Sequence, residues 1–494
     1  MTDARDLALM IQSRIPLIAV ASHDERRVLE LLGQIAVRQG LASFEWSAIR
    51  GLERGGLSRG APPANPRLTD PAELITEISR TPGPTLYALC DFHPYFADEP
   101  RMIRHVREVA LDYERLHATL VFISHRLTVP PELTRLTASF ELALPDSETL
   151  MAIVREQAED WSRAHPGQRV RTDRDTLERL IANLRGVTEA DARRLIRHAI
   201  FTDGAITDAD LPAITRLKFE LLGTEGVLHL EYDTPAMNAV AGLERMKAWL
   251  DIRRAALIGE GSGMDRPRGM LLLGVQGSGK SLAARCVAGE MGLPLLRLDF
   301  GALYNKFIGE TERNLRESLR QAESMAPCVI WMDEIEKGID TRGSDNATSR
   351  RVLGTLLTWL AENQARVFVV ATANDIRALP PELLRKGRLD EIFFVDLPGL
   401  EARRQILALH LRRRDCDPDL FDLDALALHA EGFTGAEIEQ AVVSARYGTA
   451  NDASTLDTAA LRRALDSTVP LSVTMAESLA TLREWARDRT VPAD

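Results

Sequence analysis

Gly274-Val275-Gln276-Gly277-Ser278-Gly279-Lys280-Ser281 brings four residue types together at a spacing suited to phosphate. Glycines let successive backbone N–H groups turn toward an anion, a lysine adds one mobile cation, and the hydroxyl that follows can ligate a divalent metal ion. The loop follows the apolar run Met270 to Leu273 and opens a helical pattern rich in small residues at Leu282. Strand, loop and helix in that order direct the positive end of the helix at the same anion. The pattern predicts a nucleoside triphosphate cradled from Gly274 to Leu282, with Lys280 on its β- and γ-phosphates and Ser281 on Mg²⁺.

About fifty residues on, a second apolar run, Val329 to Met332, ends in Asp333-Glu334. Carboxylates at the C-terminal end of a buried strand sit where an open α/β sheet binds ligands. Asp333 is thereby placed to orient a metal shell, and Glu334 to polarise a water for attack on the γ-phosphate. A third buried run, Val367 to Ala371, leads to Asn374, whose amide can hold the attacking water or the γ-phosphate. Arg385 and Arg388, three residues apart after the short helical phrase "LPPELL", face one way, and guanidinium groups suit bidentate phosphate contact.

The elements that must position these groups belong to a long soluble chain. Its 494 residues predict two or three domains, and 45% hydrophobic with 27% charged residues is the balance of a globular protein. No run reaches the roughly 18 to 20 apolar residues of a membrane helix, and the start "MTDARDLALMIQSR" is not a signal peptide, so the reading is a cytoplasmic protein without membrane insertion. A net charge of -11 argues against a nucleic-acid partner. Cys90, Cys286, Cys328 and Cys416 lie far apart and read as free thiols, with neither disulfide nor zinc site.

The first half repeats the plan of the second. "VPPEL" at Val129 and "LPPEL" at Leu379 stand 250 positions apart; Asp91 precedes Asp333 by 242, and Gly186 precedes Gly432 by 246. Matched blocks at a nearly constant offset mark an internal repeat. The first copy opens with the strand-like Pro16 to Val20, but its loop reads Ala21-Ser22-His23-Asp24, without glycine or lysine. On this alignment Phe92 stands at Glu334 and Ser124 at Asn374, while Leu136 and Ser139 take the place of an arginine pair and Arg135 alone stays near the first arginine. The alternative is an unrelated α/β domain. Between the copies, "LPAITRLKFELL" predicts an amphipathic helix and "VLHLEY" a strand; "RGGLSRGAPPANPRLTDP", Arg54 to Pro71, predicts a surface loop. Met475, Leu479, Leu482 and Trp485 share one face of a last helix, expected to pack on a preceding helical lid.

In this order, and specifically from Gly242 to about Gly448, the motifs resemble a classical-clade AAA+ ATPase. The resemblance implies that Gly242-Leu243 packs against adenine, that Gly435 and Ala436 of "GFTGAEIEQAV" face the nucleotide from the lid, and that Asn374 is a sensor of the γ-phosphate. It further implies that Arg385 and Arg388 reach a neighbouring subunit's nucleotide, making the protein a homo-oligomer, a hexamer in the family. Lys306-Phe307-Ile308-Gly309 matches the pore loop of protein translocases. An aromatic on a Gly-hinged loop can grip any polypeptide, or it can pack beneath the following helix. The whole chain is similar to the Ycf-type AAA ATPases of algae, cyanobacteria and other bacteria. The implied fold is α/β: a P-loop NTPase AAA+ module, parallel sheet plus helical lid, preceded by a degenerate AAA-like module. Residues 1–203 form that module, 204–240 a linker, 241–400 the large ATPase subdomain, 401–467 the lid and 468–494 a helical tail. Three functions are expected to compete: a ring that remodels a protein substrate, a nucleotide-gated scaffold whose first half binds a regulatory partner, and, weakest, a nucleic-acid motor.

Overall fold

The computed structural model describes residues 2–55, 68–97, 99–125, 127–223, 227–258, 265–304, 310–339, 346–385, 387–452 and 456–494. Its contacts divide into two compact units, Met1–Gln157 with Val187–Ile196, and Ala158–Gly186 with Arg197–Asp494.

The first unit is built on strands β1 (Leu17–Ala21), β2 (Ala42–Ser47), β3 (Gly51–Arg54), β4 (Thr85–Cys90), β5 (Ala118–Ser124) and β6 (Thr137–Glu141), in the order β3-β2-β4-β5-β1-β6. Every pairing is parallel except β2 with β3. β4 and β5 are buried at every residue, as expected of parallel strands covered on both faces. One face is covered by the helix Glu25–Gln39 through Val28, Leu32 and Ile35, and the other by Leu74 and Ile78 of Pro71–Arg80 with Val106 of Pro100–Leu111.

The second unit holds β7 (Leu228–Glu231), β8 (Gly269–Gly274), β9 (Leu295–Leu298), β10 (Cys328–Met332), β11 (Val367–Ala373), β12 (Glu391–Val395) and β13 (Val491–Pro492), in the order β13-β12-β8-β11-β10-β9-β7. Read from its other edge, this sheet matches the first strand for strand, with β8 in the role of β1, β11 of β5, β10 of β4, β9 of β2 and β12 of β6. Each sheet also has an antiparallel edge strand, but β3 follows β2 directly whereas β7 enters from upstream of β8. The strand β13 has no counterpart.

Backbone pairing aligns the two sheets residue by residue. Thr85 N–H donates to His117 O as Cys328 N–H donates to Arg366 O, and Leu120 N–H donates to Pro16 O as Val369 N–H donates to Arg268 O. Counting from these bonds puts Asp91 opposite Glu334 in the correspondence, Cys90 opposite Asp333, His125 opposite Asn374 and Ser22 opposite Gly274. The sequence alignment, which set Asp91 on Asp333, Phe92 on Glu334 and Ser124 on Asn374, is therefore one residue out. Matching aspartates drew it there, and only the ladder counts the strand. The backbone agrees: Asp91 has φ +51° and Glu334 φ +49°. Arg135 follows Leu133 of its Pro-Pro-Glu-Leu by two residues, as Arg385 follows Leu383, and precedes Ala138, which pairs with Ile18, by three, as Arg388 precedes Glu391, which pairs with Met270. The second unit has three more residues between turn and strand, so the single Arg135 matches the first arginine counted from the turn and the second counted from the strand. The repeated Pro-Pro-Glu-Leu makes one turn twice, Leu133 N–H to Pro130 O at 2.9 Å and Leu383 N–H to Pro380 O at 3.0 Å.

After β12 the helices Leu400–Arg412, Leu423–His429, Gly435–Asp452 and Thr458–Asp466 enclose a small core of their own around Leu411, Leu426, Ile438, Val442 and Leu461. The last helix, Ala476–Ala486, packs elsewhere than expected. Its Leu482, Trp485 and Ala486 join the sheet core with Leu271, Ile330 and Val369, whereas Met475 stays 47% exposed. The cause lies in the residues that follow: β13 pairs with β12, Ala493 N–H donates to Phe394 O at 2.9 Å, and Met246 N–H donates to Ala493 O at 3.1 Å. The predicted helix and strand between the copies are Leu211–Leu222 and β7. Most of the loop expected at Arg54 to Pro71, residues 56–67, lies outside the described residues.

Candidate active site

The phosphate loop is shaped by what surrounds it. A Cβ on Gly274 would lie 2.0 Å from Val395 O, so the turn out of β8 admits only glycine beside β12. Gly277 (φ +77°) and Gly279 (φ +92°) take the left-handed conformations that turn N–H groups inward. Gly279 also leads into the helix Lys280–Met291 without any side-chain cap, leaving its N-terminal donors free for an anion. Lys280 is 5% exposed, and its ammonium donates to Gly274 O at 2.9 Å and Val275 O at 2.7 Å. Burial lowers its pKa to about 8, partly offset by Glu336, Asp333 and Glu334. A buried cation ringed by carbonyls and glycine N–H groups fits a phosphate chain.

The carboxylates meet this loop from β10. Ser281 Oγ donates to Asp333 Oδ1 at 3.0 Å, which joins the two groups suited to Mg²⁺. Thr372 Oγ1, in β11, donates to the same Asp333 oxygen at 2.6 Å and accepts from Glu334 N–H at 2.9 Å. Glu334 Oε1 accepts from Asn374 Nδ2 at 2.8 Å, and its other oxygen pairs with Lys337. Asn374 N–H in turn donates to Glu336 Oε1 at 2.9 Å. Glu336 is 8% exposed; desolvation raises its pKa, and its Oε2 has no hydrogen-bond partner.

A cleft of about 440 Å³ unites these groups. Gln276, Gly277, Ser278, Gly279, Lys280, Ser281, Leu282, Asp333, Glu334, Asn374, Gly435 and Ala436 all line it. The lid meets the loop directly, Ala436 N–H donating to Gly277 O at 3.2 Å. Gly242 is not among the lining residues: Ala239, Val240 and Ala241 take the linker's place there, and Gly242 lines an adjoining cavity with Ser278 and Gly435. Arg385 and Arg388 do not line the cleft of their own chain; they sit on the segment before β12, where Arg388 donates to Glu382 O. Lys306, Phe307, Ile308 and Gly309 lie outside the described residues.

Several lining or linking residues were missed in the sequence, Arg285, Leu409, Arg413 and Glu439 among them. Thr372 ties Asp333 to Glu334, and its only signal is a hydroxyl inside an apolar strand, two residues before Asn374. Ile406 and His410 line the cleft one helical turn apart. His410 Nδ1 lies 3.4 Å from Glu439 Oε1, and desolvation lowers its pKa. Glu336 stood in plain view beside Glu334 as an apparent surface acid.

A parallel sheet of this order, with a glycine-lysine loop after one strand, paired acids after the next-but-one and a four-helix lid, defines a P-loop ATPase of the AAA type. Residues 270–397 match the ATPase family associated with various cellular activities (AAA), and residues 3–142 and 148–225 match the N-terminal and second domains of SpoVK-like AAA ATPases. Over 494 residues, 98% of this chain and 95% of the relative, the sequence is 33% identical to the uncharacterized AAA domain-containing protein ycf46 of Guillardia theta. It is 32% identical to the protein of that name in Pyropia yezoensis over 99% of this chain and 98% of the relative. It is also 42% identical to the proteasome-activating nucleotidase of Aeropyrum pernix over 37% of this chain and 46% of that one. The chain belongs to the AAA ATPases, and along its full length to the ycf46-like members of that family. It is an ATP-binding ATPase. Among the described residues no helix is long and apolar enough to cross a membrane, and no group of three His, Cys, Asp or Glu side chains is arranged to hold a metal ion.

Proposed function

We propose that the chain is a ring-forming remodeller that couples ATP hydrolysis to work on a protein substrate. The observation that carries this reading is the joining of a complete hydrolytic set in one cleft while both arginines of the Arg385–Arg388 pair stay outside it. Lys280 and the loop N–H groups hold the triphosphate, and Ser281 and Asp333 would hold Mg²⁺, which supplies charge neutralisation at the phosphates. Asn374 positions the attacking water and Glu334 takes its proton. Arg385 and Arg388 complete the site of the next subunit, where a trans arginine contributes about 10³ to 10⁵ in rate. Similarity to the proteasome-activating nucleotidase, and 38% identity over 35% of this chain to the cell division cycle protein 48 homolog of Archaeoglobus fulgidus, support a protein substrate. Lys306 to Gly309 then grip polypeptide in the pore of a hexamer.

The test uses two variants of the full chain. Glu334→Gln should retain ATP, sediment as a hexamer and cross-link to polypeptide in the cell, whereas adding Phe307→Ala should abolish that cross-link without loss of ATP. A cross-link that survives Phe307→Ala contradicts the pore-loop assignment.

A second reading, a nucleotide-gated scaffold, draws on the first unit. Its sheet keeps the family's strand order while Asp24 occupies the helix end that would receive phosphate. On that reading residues 1–203 bind a regulatory protein and nothing is threaded. Partner capture that needs residues 1–203 and is indifferent to Phe307→Ala would favour it.

A further inference from the structure

The carboxylate assigned to activate water is engaged on both oxygens. Asn374 Nδ2 donates to Oε1 at 2.8 Å, and the Lys337 ammonium, one turn along the short helix Ile335–Ile339, sits on Oε2. Asn374 has a place in the reaction; Lys337 has none so far. Its pairing with Glu334 raises its own pKa, so it is an ammonium throughout the working range. An ammonium seated on a carboxylate oxygen occupies the lone pairs it pairs with. A general base has to offer one of those lone pairs to the water proton.

Of the two partners, Lys337 is the one able to move. Glu334 is fixed by φ +49° and by its N–H on Thr372 Oγ1 at 2.9 Å. Lys337 has a flexible four-carbon stem and a side chain that is 70% exposed. The first unit supplies a control in the same backbone frame. Asp91 takes the Glu334 position at φ +51° and, among the described residues, its carboxylate accepts from Ser124 Oγ at 3.0 Å, and the residue three further on is Pro94, which carries no charge. Among the described residues, a cation is paired with the carboxylate in the unit whose loop can hold ATP and not in the other.

We propose that Lys337 is a positioning residue that latches Glu334, restraining its approach to the water proton in the ATP-bound state whenever the ammonium is seated on Oε2. This rests on Glu334 being the base. Because exposed ion pairs are weak, the latch should set turnover by only about two- to fivefold. It should also be screened by salt, since the Debye length falls from above about 10 Å to a few ångströms between about 0.05 and 0.5 M.

Steady-state ATPase assays of the assembled full-length protein test this. Lys337→Ala should raise kcat about two- to fivefold at low salt with KM for ATP little changed, and Lys337→Arg should behave as wild type. Added salt should raise wild-type kcat toward that of Lys337→Ala and leave the variant flat. A Lys337→Ala kcat equal to or below wild type, or identical salt profiles, overturns the latch. Glu334→Gln at wild-type turnover overturns the base assignment and the latch together. Loss of turnover in Glu334→Gln with no gain in Lys337→Ala overturns the latch alone.

Discussion

In the first unit the helix after β1 begins at Glu25 under its own cap, Asp24, whose carboxylate accepts from Arg27 N–H at 3.3 Å. In the second, the helix after β8 begins at Lys280 behind Gly279, and no side chain caps it. That contrast separates what a parallel sheet needs from what an anion site needs. The strand order survives because buried strands ask only for apolar residues, and Leu-Ile-Ala-Val serves β1 as Met-Leu-Leu-Leu serves β8. A phosphate cradle asks for more: positive φ at two glycines, an uncapped helix end and a buried lysine. A capping aspartate satisfies the helix and places a negative charge where phosphate would lie. The loop of the first unit carries that cap, is three residues shorter and has neither glycine nor lysine.

The pair Arg385–Arg388 against the single Arg135 gives the largest contrast. Arg388→Ala should leave ATP binding intact and cut turnover by about 10³ to 10⁵, measured as steady-state ATPase beside equilibrium binding. Arg135→Ala, in the matching segment of the first unit, should leave turnover unchanged. A loss from Arg135→Ala would mean that the first unit also serves a nucleotide.

The carboxylates come next. Glu334→Gln should lower kcat by about 10² to 10⁴ while ATP stays bound. Asp91→Asn, which keeps size and tolerates the left-handed backbone, should have no effect on kcat. Equal losses from both would break the division of labour between the sheets.

The smallest effect is one of pH. Lys280 titrates at about 8 because burial opposes its charge, and bound phosphate favours the protonated form. Binding therefore takes up a proton above that value. ATP affinity should hold below pH 8 and fall by up to about tenfold per unit above it, read as Kd against pH. A rise in affinity with pH would reverse the sign and remove Lys280 from the phosphates.

How far the sequence showed all this depended on the kind of constraint. Gly274 to Ser281 was legible because a phosphate loop fixes glycine, lysine and hydroxyl at set spacings, and Asp333-Glu334 because two adjacent acids end a buried run a fixed distance after that loop. Asp91 was read one residue out, since a letter match is insensitive to strand register and only the ladder from Thr85 and Cys328 counts it. Thr372, Ile406 and His410 escaped because each looks like an ordinary member of an apolar or helical pattern, and their meaning comes from the neighbours that folding supplies. The last helix misled for a similar reason: Leu479, Leu482 and Trp485 of its apolar face turn inward while Met475 stays exposed, and its place was decided by β13 pairing with β12, a contact of two residues.

The most direct test counts nucleotides. Equilibrium binding of labelled ATP to the full chain should saturate at one ATP per chain, and Lys280→Ala should abolish all of it. Two ATP per chain, or one remaining after Lys280→Ala, would show that the first sheet also holds a nucleotide and would contradict the account of one architecture used twice and active once.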